Sequence, residues 1–371
     1  MAPQQDFQPV QPKKNCGSFI RLPVELLGLV FDNVQREDLL PIACACKLLH
    51  SIVEPHLYHS VVTRSQERLL SFRQALAQNP AHAKLVRRFE IYRDEIGAEE
   101  ESPSSGLDLL EDFSKLASLV VDASIAHISA LDISGALRTA GHLPLLTTCE
   151  INIRTRDPYH VNLAHLETLL TWPTLTTLTL HNINTNDGLF NDDAGTISKL
   201  RTLRFFSSYI DPTSLYNLML AMENLQELVI HSMSPHGIYE WGWDISGYDQ
   251  ALEPVSTTLK VLVLIKEHGQ PCEQSLRLRH MTALEYVSAD LDSWFGYNFV
   301  SYTISRETTF QEMFPPSLKT MKIGGWKGGF GAMGLNSRYS EDEFKAYVLK
   351  AMMYSGGKFA PAMERIEFGK G

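Results

Sequence analysis

The chain has 371 residues, of which 44% are hydrophobic and 20% are charged, and its formal net charge at pH 7 is −10. This length and composition are those of a folded protein with one extended core or two domains, which excludes a disordered chain. The negative charge argues against a nucleic-acid partner, because affinity for phosphates comes largely from clustered Lys and Arg.

The cysteine pattern and the N-terminal segment favour a reducing compartment. The cysteines are odd in number and widely spread, unlike a disulfide framework: Cys16, Cys44, Cys46, Cys149 and Cys272. Residues 1–18 are rich in Pro and Gln and lack the apolar core of a signal peptide, so we expect a disordered tail. No apolar run of about 18 residues is present. We therefore expect a cytoplasmic or nuclear protein with no membrane partner.

Three short helices are predicted within residues 19–60. The first begins near Pro23, whose missing N–H would have no partner there, and apolar residues then recur at three- and four-residue steps. Asp38 is placed to cap the second helix, and the third should end before Pro55. A unit of about 40 residues without disulfides or metal rarely stays folded alone, so we expect a partner to cover its apolar excess.

The order of residues in this segment resembles the F-box motif. The matching positions are Leu22-Pro23-x-Glu25-Leu26, Phe31, Asp38-Leu39-Leu40, Ala43, Cys46-Lys47, Val53, Pro55, Leu57 and Tyr58. The resemblance implies that the helices dock on the Skp-type adaptor of a cullin–RING ubiquitin ligase. The positions it implies at or beside that adaptor are Leu22, Pro23, Leu26, Val30, Leu39 and Leu40. The alternative is an N-terminal helical cap on the protein's own core.

The pattern apolar-x-x-apolar-x-apolar recurs ten times in the remainder of the chain. It begins at residues 86, 116, 146, 175, 200, 225, 259, 284, 318 and 363. The alternation within each copy predicts a short, half-buried strand. Helical patterns lie between the strands, the clearest opening at Asp211-Pro212 with an N-cap and a first-turn proline. Repeated strand–helix–strand units predict a right-handed βα coil.

These repeats resemble leucine-rich repeats, in the irregular form that often follows an F-box in fungal-type proteins. The resemblance implies an α/β fold class: a three-helix F-box at 19–60, then an irregular leucine-rich-repeat solenoid with a parallel concave sheet at 61–371. The Asn or Cys expected three places after the third apolar residue is missing, so the loop hydrogen bonds must be made differently. An ordinary α/β domain is the alternative, but the alternating polar residues favour an open wall.

Residues between the core positions of the strands are predicted to face the concave side. Val263 and Ile265 are apolar there, which marks a candidate contact site. Aromatic-rich insertions at 235–250, 290–315 and 324–340 interrupt the later repeats, and such residues dominate binding hot spots. We expect an unidentified target protein to bind at Phe206, His231, Trp241, Trp243, Val263, Ile265, Tyr286, Trp294, Phe295 and Trp326. Alternatively, the insertions fold inward as a capping layer.

Signals of catalysis are weak. Gly329-x-Gly331-x-x-Gly334 matches a dinucleotide fingerprint, but the next helix should open only near Ser340, too late to meet a pyrophosphate. The cysteines and histidines of the first 60 residues match no common zinc spacing. We expect no cofactor, no metal and no enzyme activity, and predict a substrate receptor of an SCF-type ligase. A leucine-rich scaffold without ubiquitin transfer and an unrecognised α/β enzyme are the alternatives.

Overall fold

A computed structural model describes residues 22–93, 105–124, 129–141, 143–154, 161–185, 198–232, 247–266, 276–290, 294, 313–324, 346 and 360–368. The predicted tail and most of the three aromatic insertions lie outside these residues, as does the glycine-rich stretch near 330. Within the described part of the chain, no helix has the length and apolar character needed to cross a membrane.

The chain begins with three helices that share a small core of their own. They are α1 (Val24–Phe31), α2 (Arg36–Ala45) and α3 (Lys47–His59). Their inward side chains form a hydrophobic cluster that is separate from the main core of the protein: Leu27, Phe31, Leu39, Ala43, Leu49, Ile52 and Val53. Three helices were predicted here, and three are observed.

Two helix ends differ from the prediction. Helix α2 begins at Arg36, so Asp38 lies in its first turn rather than at its cap. In the first turn its carboxylate still interacts favourably with the helix dipole. Helix α3 passes through Pro55 and ends four residues later. Proline removes one helical hydrogen bond, but in the last turn the ring of His56 contacts Phe31 of α1 and the ring of Tyr58 stacks on His82, so this turn is packed against neighbouring elements.

All ten predicted strands are present. The N-terminal edge strand is additional to these ten and was not predicted. In chain order the strands are β1 (Ser60–Thr63), β2 (Arg88–Arg93), β3 (Ser118–Ser124), β4 (Thr148–Arg154), β5 (Val161–Asn162), β6 (Thr177–His181), β7 (Ile183–Asn184), β8 (Thr202–Phe206), β9 (Glu227–Ser232), β10 (Val261–Lys266), β11 (Tyr286–Asp290), β12 (Thr320–Gly324) and β13 (Arg365–Phe368). Strands β5 and β7 pair separately, and the others form one eleven-stranded sheet in chain order. Every pairing is parallel.

Helices and 3-10 turns connect these strands. The described α-helices are α4 (Gln66–Gln78), α5 (Ala130–Ala140), α6 (Glu167–Leu170), α7 (Pro212–Leu220) and α8 (Tyr248–Ala251). Their apolar side chains form a single core with alternate residues of the strands. The remaining strand residues lie on the other side of the sheet, which we call the open face. The protein is thus a helical N-terminal region followed by a parallel-strand solenoid, which confirms the predicted fold class.

One backbone hydrogen bond recurs at every step along the sheet. The residue just before each strand donates its N–H to the carbonyl of the equivalent residue in the preceding repeat, at 2.8–2.9 Å. The series runs His59, Arg87, Ala117, Thr147, Thr176, Arg201, Gln226, Lys260, Glu285, Lys319 and Glu364. Because this bond is repeated, insertions of different length leave the register of the strands unchanged.

The missing asparagine ladder is replaced by other polar contacts in the middle of the solenoid. Asn182 donates through Nδ2 to Oδ1 of Asn152 at 2.9 Å. Ser208 accepts the N–H of Ile183 on its hydroxyl at 3.0 Å. Asn182 and Ser207 have φ values of 59° and 51°, in the left-handed region, where asparagine is tolerated better than most side chains. The loop hydrogen bonds are therefore made one by one rather than by a repeated residue.

Candidate functional site

Helix α1 is apolar on two neighbouring faces, which lie about 100° apart around its axis. Leu27 and Phe31, one turn apart, point into the small core of the first three helices. Leu26 and Val30, also one turn apart, point outward, with 47% and 40% of their surfaces exposed. A helix that is hydrophobic all round is normally buried, so the outward side of α1 is unusual for a surface helix.

Exposed apolar side chains are concentrated in this first region. Of the eleven large hydrophobic side chains that are exposed in the described part of the chain, six lie on the first three helices and one just before α1: Val24, Leu26, Leu29, Val30, Leu40 and Leu48, with Leu22. We call these seven residues the outer apolar surface. Such a concentration marks an interaction site.

Five of the six residues predicted beside the adaptor are exposed: Leu22, Pro23, Leu26, Val30 and Leu40. Leu39 is the exception, because only 3% of it is exposed and it packs in the core of the three helices. The alternative of a helical cap on the solenoid core does not account for the outer apolar surface, which nothing in the described chain covers. Val24, Leu29 and Leu48 are exposed as well but were not predicted, although Leu29 follows Leu26 at helical spacing.

The three helices are attached to the solenoid without a linker. Helix α3 ends at His59 and strand β1 begins at the next residue, so the predicted boundary after residue 60 falls inside a strand. Beside this junction, Arg36 of α2 lies close to Arg68 of α4, and burial together with that second guanidinium lowers the pKa of Arg36. Burial and the carboxylate of Glu54 raise the pKa of Tyr58.

The middle of the open face carries a row of rings. Parallel pairing places His181, Phe206 and His231 side by side on β6, β8 and β9. The rings of His181 and Phe206 are stacked with centroids 5.1 Å apart, and those of Phe206 and His231 meet edge to face at 6.1 Å. Ile265 on β10 extends the row beyond His231.

A second row lies beside the rings and becomes apolar toward β10. It contains Glu150, Thr179, Arg204, Val229 and Val263, aligned by the pairing of β4, β6, β8, β9 and β10. Tyr286 lies next to Val261 at the start of β11. The predicted open-face residues Phe206, His231, Val263, Ile265 and Tyr286 are all partly exposed, and their role in binding stays a prediction.

Charged side chains flank this apolar part. Nε2 of His181 lies 3.3 Å from Oε1 of Glu150. Burial lowers the pKa of His181, although the carboxylate of Glu150 acts in the opposite direction. Arg204 forms an ion pair with Glu227 at 2.8 Å. Glu150 and His181 were not predicted as site residues, because their proximity arises from strand pairing across a 31-residue separation that no motif marks.

Trp294 does not belong to the candidate surface. Its side chain is 0% exposed, its ring lies 6.0 Å from that of Phe314, and its indole N–H donates to the carbonyl of Lys322 at 3.5 Å. For this residue the inward-packing alternative is correct, because a tryptophan ring gains more from burial in the core than from exposure on the rim. Four predicted residues lie outside the described part: Trp241, Trp243, Phe295 and Trp326.

Metal and thiol chemistry find no support in the described residues. No group of three or more His, Cys, Asp or Glu residues there is arranged to hold a metal ion. Cys44, Cys46 and Cys149 are free thiols. Cys149 is fully buried, which raises the pKa of its thiol and makes the thiolate inaccessible at neutral pH.

Comparison with known proteins identifies the first region. A model described as F-box-like matches residues 19–64. No curated protein matches the chain. Among solved structures the chain is similar to an internalin from Listeria monocytogenes, with 13% identity and a TM-score of 0.30 over 65% of this chain. The chain spans 62% of that internalin, less than two thirds of its length.

Proposed function

We propose that this protein is a substrate-recognition subunit of an SCF-type cullin–RING E3 ubiquitin ligase. In this proposal the F-box-like region binds a Skp-type adaptor, and the solenoid, an irregular leucine-rich-repeat domain of the fungal type, binds a target protein in the cytoplasm or nucleus. The observation that supports it most strongly is the outer apolar surface on a region that matches the F-box-like family.

The energetics favour a partner at this surface. Leu26, Leu40 and their neighbours are each about half exposed, and covering a half-exposed leucine contributes about 1 kcal/mol. Seven such side chains on one small unit give enough apolar area for the centre of an interface. Because the inward residues of the three helices form their own core, the outward residues are available without unfolding any part of the chain.

The proposed role requires no chemistry from this chain. Holding a target on the solenoid and an adaptor on the first helices raises the effective concentration of target lysines beside the ubiquitin carrier. The transfer itself is assigned to other subunits.

Co-expression with a Skp-type adaptor tests the proposal. Wild-type chain should co-purify with the adaptor, whereas the double variant Leu26→Glu, Leu40→Glu should lose at least about thirtyfold in affinity, as expected when about 2 kcal/mol is removed from the centre of an interface. Leu220→Glu is the matched control, because Leu220 is also half exposed but lies on α7, far along the chain from the F-box-like region. This variant should bind like the wild type.

Three results would contradict the proposal. If the wild type does not bind the adaptor, the F-box role is wrong. If the double variant binds as tightly as Leu220→Glu, the outer apolar surface is not the contact. If adaptor and cullin bind but no solenoid-bound protein is ubiquitinated in a reconstituted reaction, the chain is a scaffold rather than a receptor.

A further inference from the structure

The chemistry of the open face changes from acidic to apolar over five neighbouring strands. Glu150 on β4 and Val263 on β10 stand in one row, separated by β6, β8 and β9. In the adjacent row the rings of His181, Phe206 and His231 connect the two ends, and Ile265 completes the apolar end.

The acidic end carries an unneutralised charge. The side chain of Glu150 is 46% exposed, and the group within ion-pair distance of it is the imidazole of His181, whose pKa is lowered by burial. No Lys or Arg within the described ranges lies within ion-pair distance of Glu150. By contrast, Arg204 in the same row is already paired with Glu227. A basic group from a partner would therefore complement Glu150.

The apolar end offers a surface for a hydrocarbon side chain. Val229, Val263 and Ile265 are partly exposed, adjacent on β9 and β10, and lie where a solvated face would carry polar residues. The rings of His181, Phe206 and His231 occupy the strands between the two ends, one ring on each strand, and an extended peptide can lie against them.

We propose that this part of the open face binds an extended peptide segment of the target protein, with a Lys or Arg at Glu150 and a large apolar residue at Val263 and Ile265. The inference rests on the proposed function and adds the chemical class of the target. Four strand spacings of about 4.8 Å separate β4 from β10, about 19 Å, and an extended chain rises about 3.3 Å per residue. The basic and apolar residues should therefore be about six positions apart.

An array of synthetic 14-residue peptides tests this spacing. Each peptide carries one Arg and one Leu in a Gly/Ser background, in both orders and at separations from two to ten residues, and a second set replaces Arg by Gln. Binding of the full-length chain should be strongest at separations of five to seven. Glu150→Gln should weaken the best Arg peptide about tenfold and leave its Gln counterpart unchanged, whereas Ile265→Thr should weaken both.

Glu253→Gln provides the control, because Glu253 is exposed on a 3-10 turn between strands, and it should change neither affinity. Equal melting temperatures would show that the variants are folded. Absence of binding, absence of a preferred separation, or equal weakening of both peptide sets by Glu150→Gln would overturn the inference. Adaptor capture measured on the same preparations reports on the proposed function separately, since Glu150 and Ile265 are remote in sequence from the outer apolar surface.

Discussion

Oε1 of Glu54 on α3 lies 2.8 Å from Nε2 of His82, in the turn that precedes β2. The ring of Tyr58 stacks on the same imidazole with centroids 4.0 Å apart. The F-box-like helices and the solenoid have separate hydrophobic cores, so this contact and the direct passage from α3 into β1 fix their relative orientation. Adaptor and target would then be held in one geometry.

We expect His82→Ala to destabilise the protein by about 2 kcal/mol, because it removes the shorter of the two histidine contacts of Glu54, the other being His50 at 3.8 Å, and also removes the ring stack with Tyr58. Denaturant unfolding followed by circular dichroism measures the change. His280→Ala, an exposed histidine in the solenoid, should stay within about 0.5 kcal/mol of wild type. Equal stability of the two variants would show that the Glu54–His82 contact does not couple the regions.

Two neighbouring leucines of α1 should respond in opposite ways to truncation. Leu27 is 0% exposed and Leu26 is 47% exposed. Leu27→Ala should cost about 2–5 kcal/mol, because it leaves a cavity in a small core. Leu26→Ala should cost less than about 0.5 kcal/mol in stability while weakening adaptor binding. Thermal melts of the two variants, with adaptor titrations, check this pair, and a loss of stability at Leu26 would contradict the assignment of its outward side.

The strands were predictable because each has its own alternation of apolar and polar residues. Leu178 and Leu180 bury their side chains on one side while Thr179 faces the other, so a period of two is visible in the sequence. Strand β1 was missed because only four residues pair and the segment follows α3 without a turn signal. The parallel arrangement followed from the crossover rule rather than from any single residue.

The candidate site residues were less predictable, because their exposure and contacts depend on how the helices and strands pack against one another. Leu39 and Leu40 are adjacent leucines, yet one is in the core and the other exposed, and the difference depends on how α2 docks against α3. The direction of Trp294 depends on Phe314, twenty residues away. Glu150 and His181 come together only through the register of β4 and β6.

Gly324 at the end of β12 is restricted by its neighbour in the sheet. A Cβ atom there would lie 2.6 Å from Oδ1 of Asp290, a carboxylate that is only 7% exposed. Gly324→Ala should therefore destabilise the protein by about 1–3 kcal/mol. Gly135→Ala in α5 has nothing within 4 Å of the new Cβ and should stabilise by about 0.4–1 kcal/mol. Calorimetric melting of both variants tests the opposite signs.

Asp211 caps α7 and also ties two repeats together. Its carboxylate accepts the N–H of Ser214 at 2.9 Å and the hydroxyl of Thr185 at 2.7 Å. Burial by itself would raise the pKa of Asp211, but these hydrogen bonds outweigh it and hold the pKa below the ordinary value of 3.8. Asp211→Ala should cost about 2 kcal/mol at pH 7, at the upper end for an N-cap because the Thr185 bond is lost as well.

The pH dependence of this loss has a definite sign. A carboxylate whose pKa is lower in the folded than in the unfolded protein stabilises the fold above pH 3.8, and the contribution disappears as the pH falls through the lower folded pKa. The stability difference between wild type and Asp211→Ala should thus be constant from pH 7 to about 5 and shrink below about 4. The stability difference between wild type and Gly135→Ala, a change that removes no ionisable group, should not vary with pH in this way. If the stability difference between wild type and Asp211→Ala increased on acidification, the folded protein would stabilise the neutral acid of Asp211 rather than its carboxylate.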